Sequence, residues 1–336
     1  MAKQETTFDL INSAVDSAMA VDSALAEANA DEQHKPDGVL TTYKELREFY
    51  SDFLGKNGRS FFLLGRGGTG KSEIYRGLIG AREAEESGNP DAPYDNCPGA
   101  YLRATASAVG IYTEFFKYRN QCMVCDDVLN LLKDPAVVAN LMAAADTRDA
   151  KQMHYKKQNS QLRSEGIPNT FRYTGRVGIV SNDLPRKGAV ANSIKALFTR
   201  LKFYLFAPTE TEVHNYAATW CKDAEILKWI QEWRFMANGL HLRYYHDAMK
   251  EKAAGNNWKG ELISRWVKAD PRLGQLKGLA HSLGVKLTPA ALEEQFCEAS
   301  GLSRATFFRE LDRWRTTDLA SYSKLLGGKG FYKVAN

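Results

Sequence analysis

The chain has 336 residues, 44% apolar and 25% charged, with a net charge of +5; its length suits two domains or more, and its composition is that of folded protein. No stretch reaches the roughly 18 to 20 uninterrupted apolar residues of a membrane span, and the opening MAKQETTFDL is no signal peptide, so a cytoplasmic protein with no membrane partner is expected. The scattered cysteines Cys97, Cys122, Cys125, Cys221 and Cys297 do not read as a disulfide framework, and Cys122-x-x-Cys125 lacks further ligands at zinc spacing, which leaves these two thiols in a buried strand.

Residues 1–39 are acidic and read as a weak helix on a linker, with Phe8, Leu10, Ile11, Val15, Met19 and Leu25 at rough helical spacing before the polar run 31–38. The remainder of the chain is correspondingly more basic than the net charge suggests. From Leu40 to Phe53 the apolar spacing predicts an amphipathic helix with Thr41 or Thr42 as its cap.

The apolar run Phe61–Leu64 then leads into Gly65-Arg66-Gly67-Gly68-Thr69-Gly70-Lys71-Ser72, which fits G-x-x-x-x-G-K-[ST] between a predicted strand and a predicted helix. Such a loop turns backbone N–H groups onto a polyphosphate, and the helix beginning near Lys71 adds its positive dipole end. Lys71 is expected at the β and γ phosphates of ATP, and Ser72 at Mg²⁺.

After a polar break at 87–93, a strand over 100–103 and a helix over 111–118 precede Gln121-Cys122-Met123-Val124-Cys125-Asp126-Asp127. A buried parallel strand ending in two acids delivers them beside the phosphate loop, Asp126 for the Mg²⁺ shell and Asp127 for the attacking water. A helix over 136–145 follows, and then a basic stretch containing Arg148, Lys151, His154, Lys156, Lys157, Arg163, Arg172 and Arg176. The strand 175–181 brings Asn182 to the same sheet edge; its alternative role is to cap the turn into Leu184-Pro185.

In residues 290–314 the spacing predicts a helix-turn-helix: Leu292, Phe296 and Ala299 inward, a turn at Ser300-Gly301-Leu302, and Ser303 capping a helix with Phe307, Phe308 and Leu311. Arg304, Thr306 and Arg309 are its candidate DNA contacts, and Lys156 and Lys157 those of the basic stretch. The alternative is a lid-extending helical pair with an exposed basic face; Gly301 at the turn and Ser303 at the cap favour DNA.

Over roughly 40–255 the motif series GRGGTGKS, MVCDD, IVSN, ALFTRL and LHLRYYHDAM resembles the AAA+ ATPases. That resemblance implies an α/β fold, a P-loop NTPase parallel sheet flanked by helices (40–208), then a helical lid (209–265); residues 266–336 read as a separate small all-α domain. The resemblance also implies Asn182 as sensor 1, Arg200 as an arginine finger and Arg243 as sensor 2, and a homo-oligomeric ring or spiral, hexameric or heptameric, acting on DNA. Arg200 has the alternative of a helix-end cation, and Arg243 that of pairing with Asp247. Where the family usually places Glu, this chain has Asp127, which puts fast turnover in doubt. The superfamily-3 helicases, whose basic loop between the acids and sensor 1 lines a ring pore, are the alternative family; the segment Arg148 to Arg172 fits such a loop, with a solvated basic loop as its alternative, and the order of ATPase, lid and helix-turn-helix resembles bacterial replication initiators. Size and motif style suggest a phage or mobile element.

Overall fold

The computed structural model describes residues 35–317, apart from 90–92, 104–106, 128–131, 149, 156–159, 185–187, 235–236, 238, 270 and 284–287, and also Tyr322, Leu325 and Leu326. The acidic segment 1–34 and the pair Lys156 and Lys157 lie outside the described residues. The chain divides into two units, Met1–Glu212 and Val213–Asn336.

In the first unit, six strands form a parallel sheet: β1 (Gly38–Leu40), β2 (Phe61–Gly65), β3 (Gly99–Arg103), β4 (Cys122–Asp126), β7 (Val177–Ser181) and β8 (Lys202–Phe206). Their spatial order is β1-β8-β2-β7-β4-β3, all parallel. β2 carries Phe61 and Phe62 on opposite faces. Phe61 meets Phe49 and Phe53 of α1 (Tyr43–Leu54) at ring distances of 4.7 and 4.8 Å, while Phe62 meets Phe198 at 5.1 Å. Phe198 ends the helix Gly188–Phe198, so helices cover both faces, which is why the strands read as continuous apolar runs. Burying each of these rings contributes about 2 kcal/mol. Cys122 and Cys125 lie buried in β4 as free thiols.

Two expectations change. Leu40 belongs to strand β1, which pairs with β8, and α1 starts at Tyr43. Thr42 makes the capping box with Glu45, so the helix cannot start earlier without losing that reciprocal pair. The basic stretch is not one loop. It folds as an antiparallel hairpin of β5 (Lys151–His154) and β6 (Thr170–Tyr173), with a short helix Ser160–Ser164 between the strands. Alternation turns Met153, Phe171 and Tyr173 inward and Gln152, His154, Thr170 and Arg172 outward.

Among the described residues of the second unit the regular elements are helices joined by short turns. The helices Ala224–Trp233, Leu242–Ala253 and Trp258–Ala269 bury Ile226, Ile230, Tyr245, Leu262 and Trp266. Residue 266, drawn from sequence as a domain boundary, lies inside the last of these helices. A further core gathers Leu273, Leu276, Leu292, Phe296, Phe307, Leu311 and Trp314 from Pro271–Leu283, Pro289–Ser300 and Arg304–Thr317.

Candidate functional site

The phosphate loop joins β2 to α2 (Lys71–Leu78). Gly68 and Gly70 hold φ values of 78° and 83°, left-handed conformations that a side chain would strain. Gly65 passes so close to β8 that a Cβ would lie 2.6 Å from the Phe206 carbonyl oxygen. These three glycines let the backbone turn sharply at the C-terminal edge of the sheet. Thr69 is buried, its hydroxyl donating to the Arg66 carbonyl (2.8 Å) and its carbonyl accepting from the Tyr43 hydroxyl (2.9 Å). Tyr43 of α1 therefore braces the loop, a contact across 26 residues that no local motif announces. Arg66 is exposed.

Lys71 is only 4% exposed, and its ammonium donates to the Gly65 carbonyl (2.6 Å), the Arg66 carbonyl (2.8 Å) and Asn182 Oδ1 (2.9 Å). A cation this enclosed needs such acceptors to offset lost hydration. Because β7 lies between β2 and β4, Asn182 at its end stands between the loop and the acids. The Ser72 hydroxyl donates to Asp126 Oδ2 at 2.5 Å. The sequence-derived set Gly65 to Ser72, Asp126 and Asn182 is thus one cluster.

Tyr101 was not singled out by its sequence context. It pairs with Val124, two residues before Asp126, so it shares Asp126's face of the sheet, and its hydroxyl donates to Asp126 Oδ2 at 2.8 Å. Burial and then the charge of Asp126 hold its phenol above the usual range, so Tyr101 stays a donor. The Arg76 guanidinium, anchored by Glu73 and Glu85, lies 5.4 Å from the Tyr101 ring centre. Asp126 Oδ1 accepts from the backbone N–H of Asp127 at 3.1 Å.

Asp127 is exposed and is the one non-glycine residue with positive φ (56°) among the described residues. A left-handed aspartate costs on the order of 1 kcal/mol or more, and such conformations concentrate at functional positions. This turn takes the chain off β4 and separates the two carboxyl groups: Asp126 is tied into the site, Asp127 free to face solvent.

A serine hydroxyl and a carboxylate, both hard oxygen donors at a turn of glycine backbone, fit Mg²⁺ rather than a softer metal. No group of three or more His, Cys, Asp or Glu side chains suited to a metal occurs among the described residues. Mg²⁺ here would therefore need ligands from a phosphate or water.

The two distal arginines are placed differently. Arg200 is half-buried and donates to the Met142 carbonyl at 2.6 Å, in the last turn of α5 (Pro135–Ala144). That is a favourable site for a cation. Arg243 is exposed in the first turn of Leu242–Ala253, in the second unit, and Asp247 is bonded instead by Arg265.

Among the basic residues of the hairpin region, Lys151 and Arg176 are structural. Lys151 is buried and donates to the Gly175 carbonyl. Arg176 donates to the carbonyls of Phe53, in the last turn of α1, and of Gly55 and Lys56 just beyond it. His154, Arg163 and Arg172 are exposed, and Arg148 is paired with Asp146.

At the C-terminal end, Thr288 caps Pro289–Ser300, and Gly301 closes that helix at φ 66° with its N–H on the Cys297 carbonyl. α14 (Arg304–Thr317) follows directly. Arg304 and Arg309 are exposed; Arg304 pairs with Glu293 at 3.0 Å, and Thr306 bonds the Ser303 hydroxyl at 3.2 Å. Two residues expected in the core are outside it. Ala299 is exposed, and Phe308 is 43% exposed, because Phe307 and Leu311 already fill the interior side of that turn.

The parallel sheet and its loop make this a P-loop nucleotide-binding fold followed by helices, in agreement with the AAA+ resemblance of the motifs. No known protein family's sequence profile matches the chain, and no curated protein matches it. Among solved structures, the chain is similar to the ORC2 protein of Aeropyrum pernix in its ADP form, at 12% identity over 85% of this chain and 88% of that one, with a TM-score of 0.38. It is likewise similar to the ADPNP-ADP complexes of the same protein, at 11% identity, equal coverage and a TM-score of 0.37. At these values the fold assignment rests on the sheet and the loop themselves.

Proposed function

We propose that the chain is a Mg²⁺-dependent ATPase of the AAA+ type that assembles as an oligomer and acts on DNA, in replication initiation, unwinding or DNA remodelling. The observation that carries it is the single cluster of Lys71, Ser72, Asp126 and Asn182 at a glycine turn, each bonded to another member or to the loop.

ATP would lie along residues 65–72, with loop N–H groups and the start of α2 facing its phosphates. Lys71 would exchange loop carbonyls for phosphate oxygens. Ser72 and Asp126 would hold Mg²⁺, which supplies positive charge between the terminal phosphates. Asp127 would orient the attacking water and accept its proton, Asn182 would position that water against the γ-phosphate, and Arg200 and Arg243 would complete a site shared between subunits. The helix pair 289–317 would supply the duplex contact through Arg304, Thr306 and Arg309, and the hairpin, with Lys156 and Lys157, a second contact to phosphates.

One observation favours a second reading. Asp127, short and left-handed, suits slow hydrolysis, so the chain would then be an ATP-switched DNA-binding regulator. ATP turnover measured with and without duplex DNA separates the readings. DNA-stimulated, Mg²⁺-dependent turnover supports the first, and ATP-dependent DNA binding with negligible turnover supports the second. Turnover indifferent to DNA, with no DNA bound, would leave a protein remodeller.

A further inference from the structure

α14 has two faces of opposite character. Phe307, Glu310, Leu311 and Trp314 are buried at 4% exposure or less. Arg304, Ala305, Phe308 and Arg309 follow one another around the other side at helical spacing, and all are exposed. Phe308 is the one large apolar side chain exposed among the described residues. Leaving it in water forgoes the gain from burial, so a partner that covers it would recover that gain.

The face around the ring defines the partner. The Arg304 guanidinium stands 5.5 Å from the Phe308 ring centre, and Phe307 meets the same ring edge-on at 5.1 Å, so the ring is held from two sides. Arg304 is held in turn by Glu293 of the preceding helix, which fixes the phenyl group relative to the helix pair. Arg309 adds positive charge on the next position. An exposed apolar ring with one guanidinium beside it and a second on the next residue of the same helix face matches a surface that is anionic at its edges and apolar at one point. Duplex DNA offers this in the major groove, where phosphates line the walls and the C5-methyl of thymine is the apolar group on a base edge.

We infer that Phe308 contacts a thymine methyl in the major groove and sets sequence preference there, with Arg304 and Arg309 as its flanking contacts. This rests on the helix pair acting on DNA. It adds a residue that the helix-turn-helix pattern had assigned to the core, and a base that the pattern did not name.

The test uses the full chain with Mg²⁺ and ATP. Duplexes it prefers are selected from a random pool, and each thymine of the selected site is then replaced by deoxyuridine, which removes the methyl and nothing else. At one position the wild type should lose about fourfold in affinity, the effect of one methyl group withdrawn from apolar contact. Phe308→Ala should bind the thymine duplex more weakly and be indifferent to the exchange, while Phe308→Leu keeps part of the discrimination. A selected site bound with preference, but with every deoxyuridine exchange neutral, overturns the role of Phe308 and leaves the DNA reading standing. The same penalty retained in Phe308→Ala, or equal discrimination on single strands, also overturns it. Loss of self-association in Phe308→Ala with unchanged discrimination would make the ring a subunit contact instead. No sequence-dependent duplex binding at all removes the DNA reading, and this inference with it.

Discussion

The phosphate loop and the C-terminal helix pair both present cations, and they hold them in opposite ways. Lys71 is almost fully enclosed and bonded to two carbonyls and an amide oxygen. Arg304 and Arg309 stand in solvent, with one ion pair at Glu293 and one long 3.5 Å approach of Arg309 to the Thr306 hydroxyl. An enclosed cation is fixed by many partners, and a substitution there is felt at once. An exposed one is cheap to keep and easy to redirect, which suits a surface that meets its ligand from outside. Arg200 lies between them, half-buried on a single carbonyl.

Arg200 offers the largest break in this comparison. As a finger acting on a neighbour's ATP, its loss should lower turnover about a thousandfold while each subunit still binds nucleotide. As a helix-end cation only, Arg200→Ala should cost about 0.5 to 1 kcal/mol of stability and spare turnover. Mixing Arg200→Ala with Asp127→Asn decides the matter, since partial recovery requires a site built from two chains.

Lys71→Ala should lower ATP affinity and turnover by on the order of a hundredfold or more, equal to two charge-assisted hydrogen bonds. Thermal unfolding near that of wild type would show the loss to be local, and wild-type turnover would remove the loop from the site. Asp127→Asn should bind nucleotide normally and hydrolyse it about a hundredfold more slowly, as expected for loss of a positioned base. A variant that no longer binds would mean that the roles of the two acids are exchanged.

Tyr101→Phe should keep its ring beside Arg76 and lose only the bond to Asp126. Half-saturating Mg²⁺ for nucleotide binding should rise about tenfold, the weight of one hydrogen bond to a charged group, with affinity in EDTA unchanged. An equal change with and without Mg²⁺ would reduce Tyr101 to packing. Gly301→Ala should have the smallest effect, about 1 kcal/mol of stability from the left-handed turn alone, since a Cβ there meets nothing within 4 Å. The melting midpoint of the full chain measures it, and ATP turnover should not move.

Elements with strong local constraint were legible in sequence. The loop, the strand ending at Asp126 and the position of Asn182 all follow from apolar runs broken by polar residues at one sheet edge. Tyr43 and Tyr101 were not legible, because each reaches the site through strand register or a helix packed from elsewhere in the chain. β1 was hidden by its three-residue length, and by a Leu40 that fits helical spacing as well as a strand. Phe308 was misplaced because helical spacing admits neighbouring inward positions, and it did not say that Phe307 and Leu311 would already fill the interior side of that turn.

The three-residue strand β1 has a practical consequence. Gly38–Leu40 completes one margin of the sheet against β8, and Asp37 secures that join by accepting from the Phe203 N–H and pairing with Lys202. A chain shortened to begin at residue 35 retains this cover, whereas one begun at 42 bares the hydrogen-bonding groups of β8. Unpaired strand margins template pairing with other chains, so the shorter product should precipitate on expression or concentration even with its phosphate loop whole. Three residues of modest appearance thus limit how far this chain can be shortened without baring β8.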